Sequence, residues 1–379
     1  MKTATIKKQN FSTDKNLSRS YYLDNLKVFL TILVIAHHAM IPFTGGEGWP
    51  YQPSNAAESM PYMWRFLSTN AAFFMGLFFM ISGFFVPKSF EHQGFARFVG
   101  KKSLRLLVPF AIISTILSVA SGTPESGHTW FLSSLFLFCL IYALGRKVLL
   151  CIAQSRQSLN RKSQSSFMSD NDKPAAEKQT RLSFPMLILF AAVMGVFSYI
   201  IRRFYPQDKW IILWVFKFEP AHYLQYIMMF AFGVKAGRGN WFEKMNNKTG
   251  CLAFAIGLLL CIGNYLRNDG FWGGFVWRWF GIYESFLCVF LCVGLVWLFK
   301  TFGNWNSSFC RWTAAQAFGA YIIHLFVLLI VQNLLDKVWL GICGKYFVVL
   351  VLSTAASFGL IWVLRTIILR IITRKKSCF

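Results

Sequence analysis

Lys27 and His38 are the residues in this sequence best suited to chemistry. They stand in an otherwise apolar run, Asp24 to Met40, with Asp24 and Lys27 at its foot and His37 and His38 near its far end. At a rise of about 1.5 Å per residue, Lys27 and His38 lie about 16 Å apart along a helix axis. That is about half of a hydrocarbon core of about 30 Å. Eleven steps of about 100° come to three turns plus about 20°, so Lys27 and His38 share a face and His37 points elsewhere. An imidazole with an ordinary pKa of about 6.5 can take a proton from a hydroxyl. The plainer reading of His38 is a histidine bonded to a neighbouring helix, and His37 reads as structural. Asp24 and Lys27 are one turn apart and can pair, which would also simply anchor the helix foot.

Further candidates follow along the chain. Arg97, Lys101, Lys102 and Arg105 precede Pro109 and form a basic cluster suited to phosphates, although orientation in a membrane would alone explain them. Ser82-Gly83 allows close helix packing. His128 opens one apolar run, and Glu219 and His222, one turn apart, open another and could pair. Glu284 and His324 lie inside later runs. Ionisable groups inside apolar spans are costly and face a bundle interior or a wet cavity. For each of these alone, a hydrogen-bonded structural role and a functional one are equally open. No GxSxG, P-loop, HExxH or dinucleotide fingerprint occurs, and no Cys/His cluster has zinc spacing. No metal site is expected.

The elements that must position these residues are membrane helices. The 379 residues are 55% hydrophobic and only 14% charged, against about 25% charged in a soluble domain. Spanning-length apolar runs fall at 24–43, 66–86, 104–120, 130–150, 183–201, 218–236, 249–266, 276–299, 313–335 and 346–368. The fold class is therefore all-α and polytopic, with about ten transmembrane helices. WIILWVFKF (210–218) reads as a re-entrant or interfacial segment. The scattered cysteines read as small apolar residues.

Charge sets the topology. Five Lys/Arg fall in 1–25, five in 87–105 and eight in 145–182, against none in 44–62 and none in 121–129. This asymmetry puts both termini in the cytoplasm. It also accounts for the net charge of +24, so no nucleic-acid partner is expected. The polar start does not resemble a cleaved signal peptide. The expected organisation is a cytoplasmic tail (1–22), a membrane domain (23–370) with a flexible cytoplasmic loop at 153–182, and a basic cytoplasmic tail (371–379). Outer loops rich in Trp, Tyr, Gly and Pro, such as TGGEGWPYQPSN, fit an interfacial aromatic belt or a mouth that stacks on sugar rings. No internal repeat is visible, which weighs against a secondary transporter.

The first run resembles the first helix of acyltransferase family three, integral membrane acyltransferases in which a basic residue, ten intervening residues and a His recur. Here these are Lys27 and His38. FFMISGFF (78–85), KKSLRLLVP (101–109), HTWFL (128–132) and AYIIHLF (320–326) are similar to further landmarks of the family. EPAHYLQYIMMFAFGV (219–234) resembles the glucan-biosynthesis-type subgroup. The family usually has Arg where this chain has Lys27. TWFLSSLF lacks the Glu that some members carry, which fits that subgroup.

The resemblance implies an O-acyltransferase of a bacterial inner membrane with no permanently bound cofactor. Acyl-CoA, such as acetyl-CoA, would be the donor, and the acyl group acetyl or succinyl. A hydroxyl of a glycan or lipid-linked glycan would be the acceptor. It implies that His38 and Lys27 are catalytic, that Lys101, Lys102, Arg105 and Arg97 hold CoA phosphates, and that His128, Glu219, His222 and Glu284 shape the acceptor side. No hydrolase-like domain is expected after the last span. The alternative is a transporter or flippase for a lipid-linked or small polar substrate.

Overall fold

A computed structural model describes residues 20–44, 49–58, 61–163, 181–207, 209–266 and 273–376. Among them are ten α-helices: α1 (Tyr21–Met40), α2 (Pro61–Lys102), α3 (Val108–Ser121), α4 (Trp130–Ser163), α5 (Phe184–Phe204), α6 (Pro220–Gly239), α7 (Asn247–Leu266), α8 (Gly273–Phe302), α9 (Ser308–Leu335) and α10 (Ile342–Lys376). Eight stretches are long and apolar enough to cross a membrane, with 62–121 counted as one. The sixth expected span, α6, is not among the eight, because His222, Gln225, Lys235 and Arg238 dilute its apolar residues. Apolar side chains such as Ile112, Ile116 and Val119 of α3 are exposed, the inverse of a soluble surface and the expected face towards lipid.

Four features differ from the sequence expectation. The second and third spans form one composite helix, in which α2 continues through a π-turn at Ser103–Leu107 into α3. Its break is Gly94, at φ 71°, a conformation that glycine adopts without a Cβ penalty. Segment 210–218 is an antiparallel hairpin of β1 (Ile211–Leu213) and β2 (Phe216–Phe218), with Trp214 at the tip. Helix α4 continues to Ser163, well into the stretch expected to be a flexible loop, and 164–180 lie outside the described residues. Likewise α10 continues to Lys376, into the expected basic tail.

Helix α1 sits at the centre, touching α2, α8, α9 and α10. Its foot is tied to the turn between α8 and α9: the Tyr22 amide donates to Asn304 Oδ1 (3.1 Å) and Asn25 Nδ2 to the Gly303 carbonyl (2.8 Å). These bonds satisfy groups at a helix start that has no side-chain cap. Helices α2 and α6 make the tightest pair. Gly83 faces the Phe230 carbonyl, and Gly233 and Gly237 face the carbonyls of Met80 and Phe84. In lipid, where apolar surface alone does not drive helices together, small residues earn contact by close approach.

Candidate active site

Helix α1 presents His38 to two histidines from distant parts of the chain. His324 of α9 places Nε2 3.0 Å from His38 Nδ1. His128, in the short turn before α4, has its ring centroid 4.7 Å from that of His324 and 6.3 Å from that of His38. Each imidazole is tethered to a backbone carbonyl: His38 Nδ1 to Val34 (3.0 Å), His128 Nε2 to Ile322 (3.0 Å) and His324 Nδ1 to Tyr321 (2.5 Å). The Tyr321 hydroxyl donates to the His128 carbonyl (2.7 Å), joining α9 to the turn before α4. His324 and His128 are buried, whereas His38 is half-buried. Among the described residues His38 Nε2 has no hydrogen-bond partner, which leaves a lone pair suited to general-base or nucleophilic chemistry. No three His, Cys, Asp or Glu side chains among the described residues converge in a metal-binding arrangement.

A cavity of about 370 Å³ runs from the foot of α1 towards this cluster. Asp24, Lys27, Ser82, Lys102 and Arg105 line it, together with Phe131 and Tyr321. The Tyr321 ring centroid is 5.5 Å from that of His128 and 5.8 Å from that of His324, so the cavity lies one aromatic ring from the histidines. Lys27 Nζ lies 3.3 Å from Asp24 Oδ1 and 4.3 Å above the Phe85 ring. The Arg105 guanidinium lies over Phe318 and the Lys102 ammonium over Phe98. A larger groove of about 700 Å³ runs between α3 and the hairpin, but no ionisable side chain lines it.

The expected basic cluster therefore divides. Lys102 and Arg105 face the cavity, while Arg97 and Lys101 are exposed and do not line it. Adjacent helical positions are about 100° apart, and the π-turn at Ser103–Leu107 re-phases the helix. The expected acceptor group divides as well. His222 Nδ1 lies 2.7 Å from Glu219 Oε2 and Nε2 lies 2.9 Å from Glu284 Oε1, while Glu284 also pairs with Arg202. His128 is not part of this network. The Trp130 and Tyr226 rings, stacked at 5.6 Å, intervene before His222, which stacks on Tyr226 at 6.2 Å. The four groups bind α5, α6 and α8 together, and each buried carboxylate has a partner there.

Three contributors were not singled out by the sequence: His324 as the partner of His38, Arg202, which reads as a loop base, and Trp49, which reads as an interfacial aromatic. Trp49 stacks on His38 from the loop between α1 and α2, with its Nε1 donating to Gln332 Oε1 (2.9 Å). Only the burial of His324 within an apolar helix hinted at any of these pairings. His37 turns away and stacks on Phe74 at 5.0 Å, as its helical phase requires.

Residues 20–366 match the profile of an acyltransferase domain, that of acyltransferase family 3. No curated relative and no solved structure matches the chain. The match takes in every residue of the histidine cluster and of the cavity, and the chain belongs to acyltransferase family 3, as a multi-pass membrane O-acyltransferase.

Proposed function

We propose that this enzyme moves an acetyl or succinyl group from cytoplasmic acyl-CoA to a hydroxyl of an exported or cell-envelope glycan, as in the glucan-biosynthesis-type subgroup. The observation that carries the reading is the cavity with Lys27, Lys102 and Arg105 at the basic end and Tyr321 beside the histidines at the other. Lys102 and Arg105 hold the phosphates of CoA through charge-assisted hydrogen bonds. Lys27 offsets charge at the cavity mouth, and the thioester reaches towards His38. His38 Nε2 takes the proton from the acceptor hydroxyl as its oxygen attacks the thioester carbonyl. The C–O bond forms, the C–S bond breaks, and the proton passes to the departing CoA sulfur. Glu219, His222 and Glu284 hold the helices that wall the acceptor side.

The test uses membranes of the host supplied with radiolabelled acetyl-CoA or succinyl-CoA, with glycan-bound label as the readout. His38→Ala is expected to abolish transfer. Lys102→Ala and Arg105→Ala are expected to raise the KM for acyl-CoA about 10- to 100-fold each, as lost charged hydrogen bonds of about 1.5–3 kcal/mol imply. Unchanged labelling by a normally expressed His38→Ala protein would remove His38 from the reaction. If CoA at millimolar concentration leaves the melting temperature of the purified protein unchanged, the donor assignment fails and the transport reading returns.

A further inference from the structure

Two of the tethered imidazoles, His38 and His324, fix which nitrogen of His38 is basic. A backbone carbonyl can only accept, so the Tyr321 carbonyl 2.5 Å from His324 Nδ1 places the proton on that nitrogen. In the neutral ring, His324 Nε2 then carries a lone pair. That lone pair faces His38 Nδ1 at 3.0 Å. It accepts the His38 Nδ1 proton, which is shared with the Val34 carbonyl at 3.0 Å. Two acceptors on different helices, one from α1 and one from α9, therefore agree on the same tautomer of His38.

From this geometry we infer that His324 is a positioning residue for His38: its Nε2 holds the His38 proton on Nδ1 and the ring in one orientation, so that Nε2 is the nitrogen presented to the reacting hydroxyl. The inference rests on the acyl-transfer reading of His38. It assigns His324 the part that an orienting group plays behind a general base, which is to set the tautomer without touching substrate. The Val34 carbonyl alone cannot fix the ring plane, because it belongs to the same helix one turn below and swings with it. His324 is 0% exposed, and its own Nδ1 is clamped by the Tyr321 carbonyl one turn before it on α9. Tyr321 is held in turn by its bond to the His128 carbonyl and lines the cavity. The cavity wall and the orientation of His38 thus share one strut, the segment Tyr321–His324.

The experiment compares His324→Gln, His324→Leu, His38→Ala and the double variant His38→Ala/His324→Leu in purified, detergent-solubilised full-length protein, with acetyl-CoA as donor. A Gln amide oxygen can accept the His38 Nδ1 proton. Leu has similar bulk, cannot accept it, and suits an apolar surrounding. His324→Leu is expected to lower kcat about 10- to 100-fold with the KM for acetyl-CoA unchanged, a part of the about 10²–10⁴-fold that a general base supplies. His324→Gln is expected to recover most of that loss. The double variant is expected to be no slower than His38→Ala alone, because an orienting group has nothing left to orient. Equal activity of Leu and Gln variants, or a double variant slower than His38→Ala by the full His324→Leu factor, would overturn the inference while leaving His38 in place. Full activity of His38→Ala would instead overturn the acyl-transfer reading itself. If His324→Leu does not accumulate as folded protein, the Gln variant decides: near-native kcat supports the inference, and a loss equal to that of His38→Ala overturns it.

Discussion

The indole of Trp49 lies over the imidazole of His38, ring centroids 5.9 Å apart and planes 21° apart. The cavity stops one aromatic ring, Tyr321, short of the histidines, and Trp49, which does not line the cavity, covers His38. An aromatic pair of this kind contributes about 0.5–1.5 kcal/mol beyond the area it buries. On the proposed reaction at His38, the same ring would also keep water from the reacting carbonyl. Replacing Trp49 by Ala should raise hydrolysis of acyl-CoA relative to glycan transfer several-fold, while Trp49→Phe should preserve the ratio. Release of free CoA in the absence of acceptor, measured with a thiol reagent, checks this; an unchanged hydrolysis rate in Trp49→Ala would show that the ring excludes nothing.

The loop between α1 and α2 that carries Trp49 is clipped to Asp336. The Tyr51 hydroxyl (2.7 Å) and the Ser54 amide (3.0 Å) both donate to Asp336 Oδ1, and Lys345 Nζ lies 3.8 Å from it. The Ser54 amide first, and then the Tyr51 hydroxyl, hold the Asp336 carboxyl below the usual range. A depressed folded pKa means the stabilisation is complete above the unfolded value of about 3.9 and is lost as pH falls through the folded value. The clip is therefore at full strength at neutral pH in the native chain and weakened in Asp336→Asn, whose amide oxygen still accepts but carries no charge for Lys345. Hydrogen exchange of the amides in 49–58, followed by mass spectrometry at pH 7, should quicken in Asp336→Asn and stay protected in the native protein.

The network of Arg202, Glu219, His222 and Glu284 predicts asymmetric losses. Removing one partner of a buried ion pair costs about 3–5 kcal/mol, because the other charge is stranded. Glu284 is 1% exposed, so Glu284→Gln strands Arg202 inside the bundle. Glu284→Gln combined with Arg202→Met removes both charges and leaves the Glu219–His222 pair intact. The double variant should melt at a higher temperature than Glu284→Gln alone in the same detergent. A lower melting temperature for the double variant would mean that the two residues contribute independently.

A Cβ at Gly233 would overlap the Met80 carbonyl oxygen, whereas one at Gly359 of α10 meets nothing within 4 Å. Gly233→Ala must push α6 off α2, at a cost of about 1–3 kcal/mol or more. Gly359→Ala gains helix propensity of about 1 kcal/mol with nothing in the way. Thermal unfolding followed by size-exclusion chromatography should show Gly233→Ala destabilised and Gly359→Ala unchanged or stabilised.

The sequence by itself determined the class of molecule and the axis of its site. Long apolar runs with few charges point to lipid-crossing helices, since lipid offers backbone groups no partners outside a helix. The helical period placed Lys27 and His38 on one face and turned His37 off it, because side-chain direction within one helix follows from counting residues; that His37 then meets Phe74 is a matter of packing. The pairing of Glu219 with His222 was legible for the same reason, being one turn long. The composite α2–α3 was not, because whether a helix breaks at Pro87 or at Gly94 depends on what its freed groups meet.

Everything that crosses helices was decided only by the tertiary structure. His38 and His324 are 286 residues apart, and nothing in either segment encodes that α1 packs on α9. The same is true of Arg202 with Glu284, of Trp49 over His38, and of the split that leaves Lys102 and Arg105 in the cavity but Arg97 and Lys101 outside it. Local periodicity fixes where a side chain points relative to its own helix; which partner it meets depends on how helices pack, a balance summed over the whole bundle.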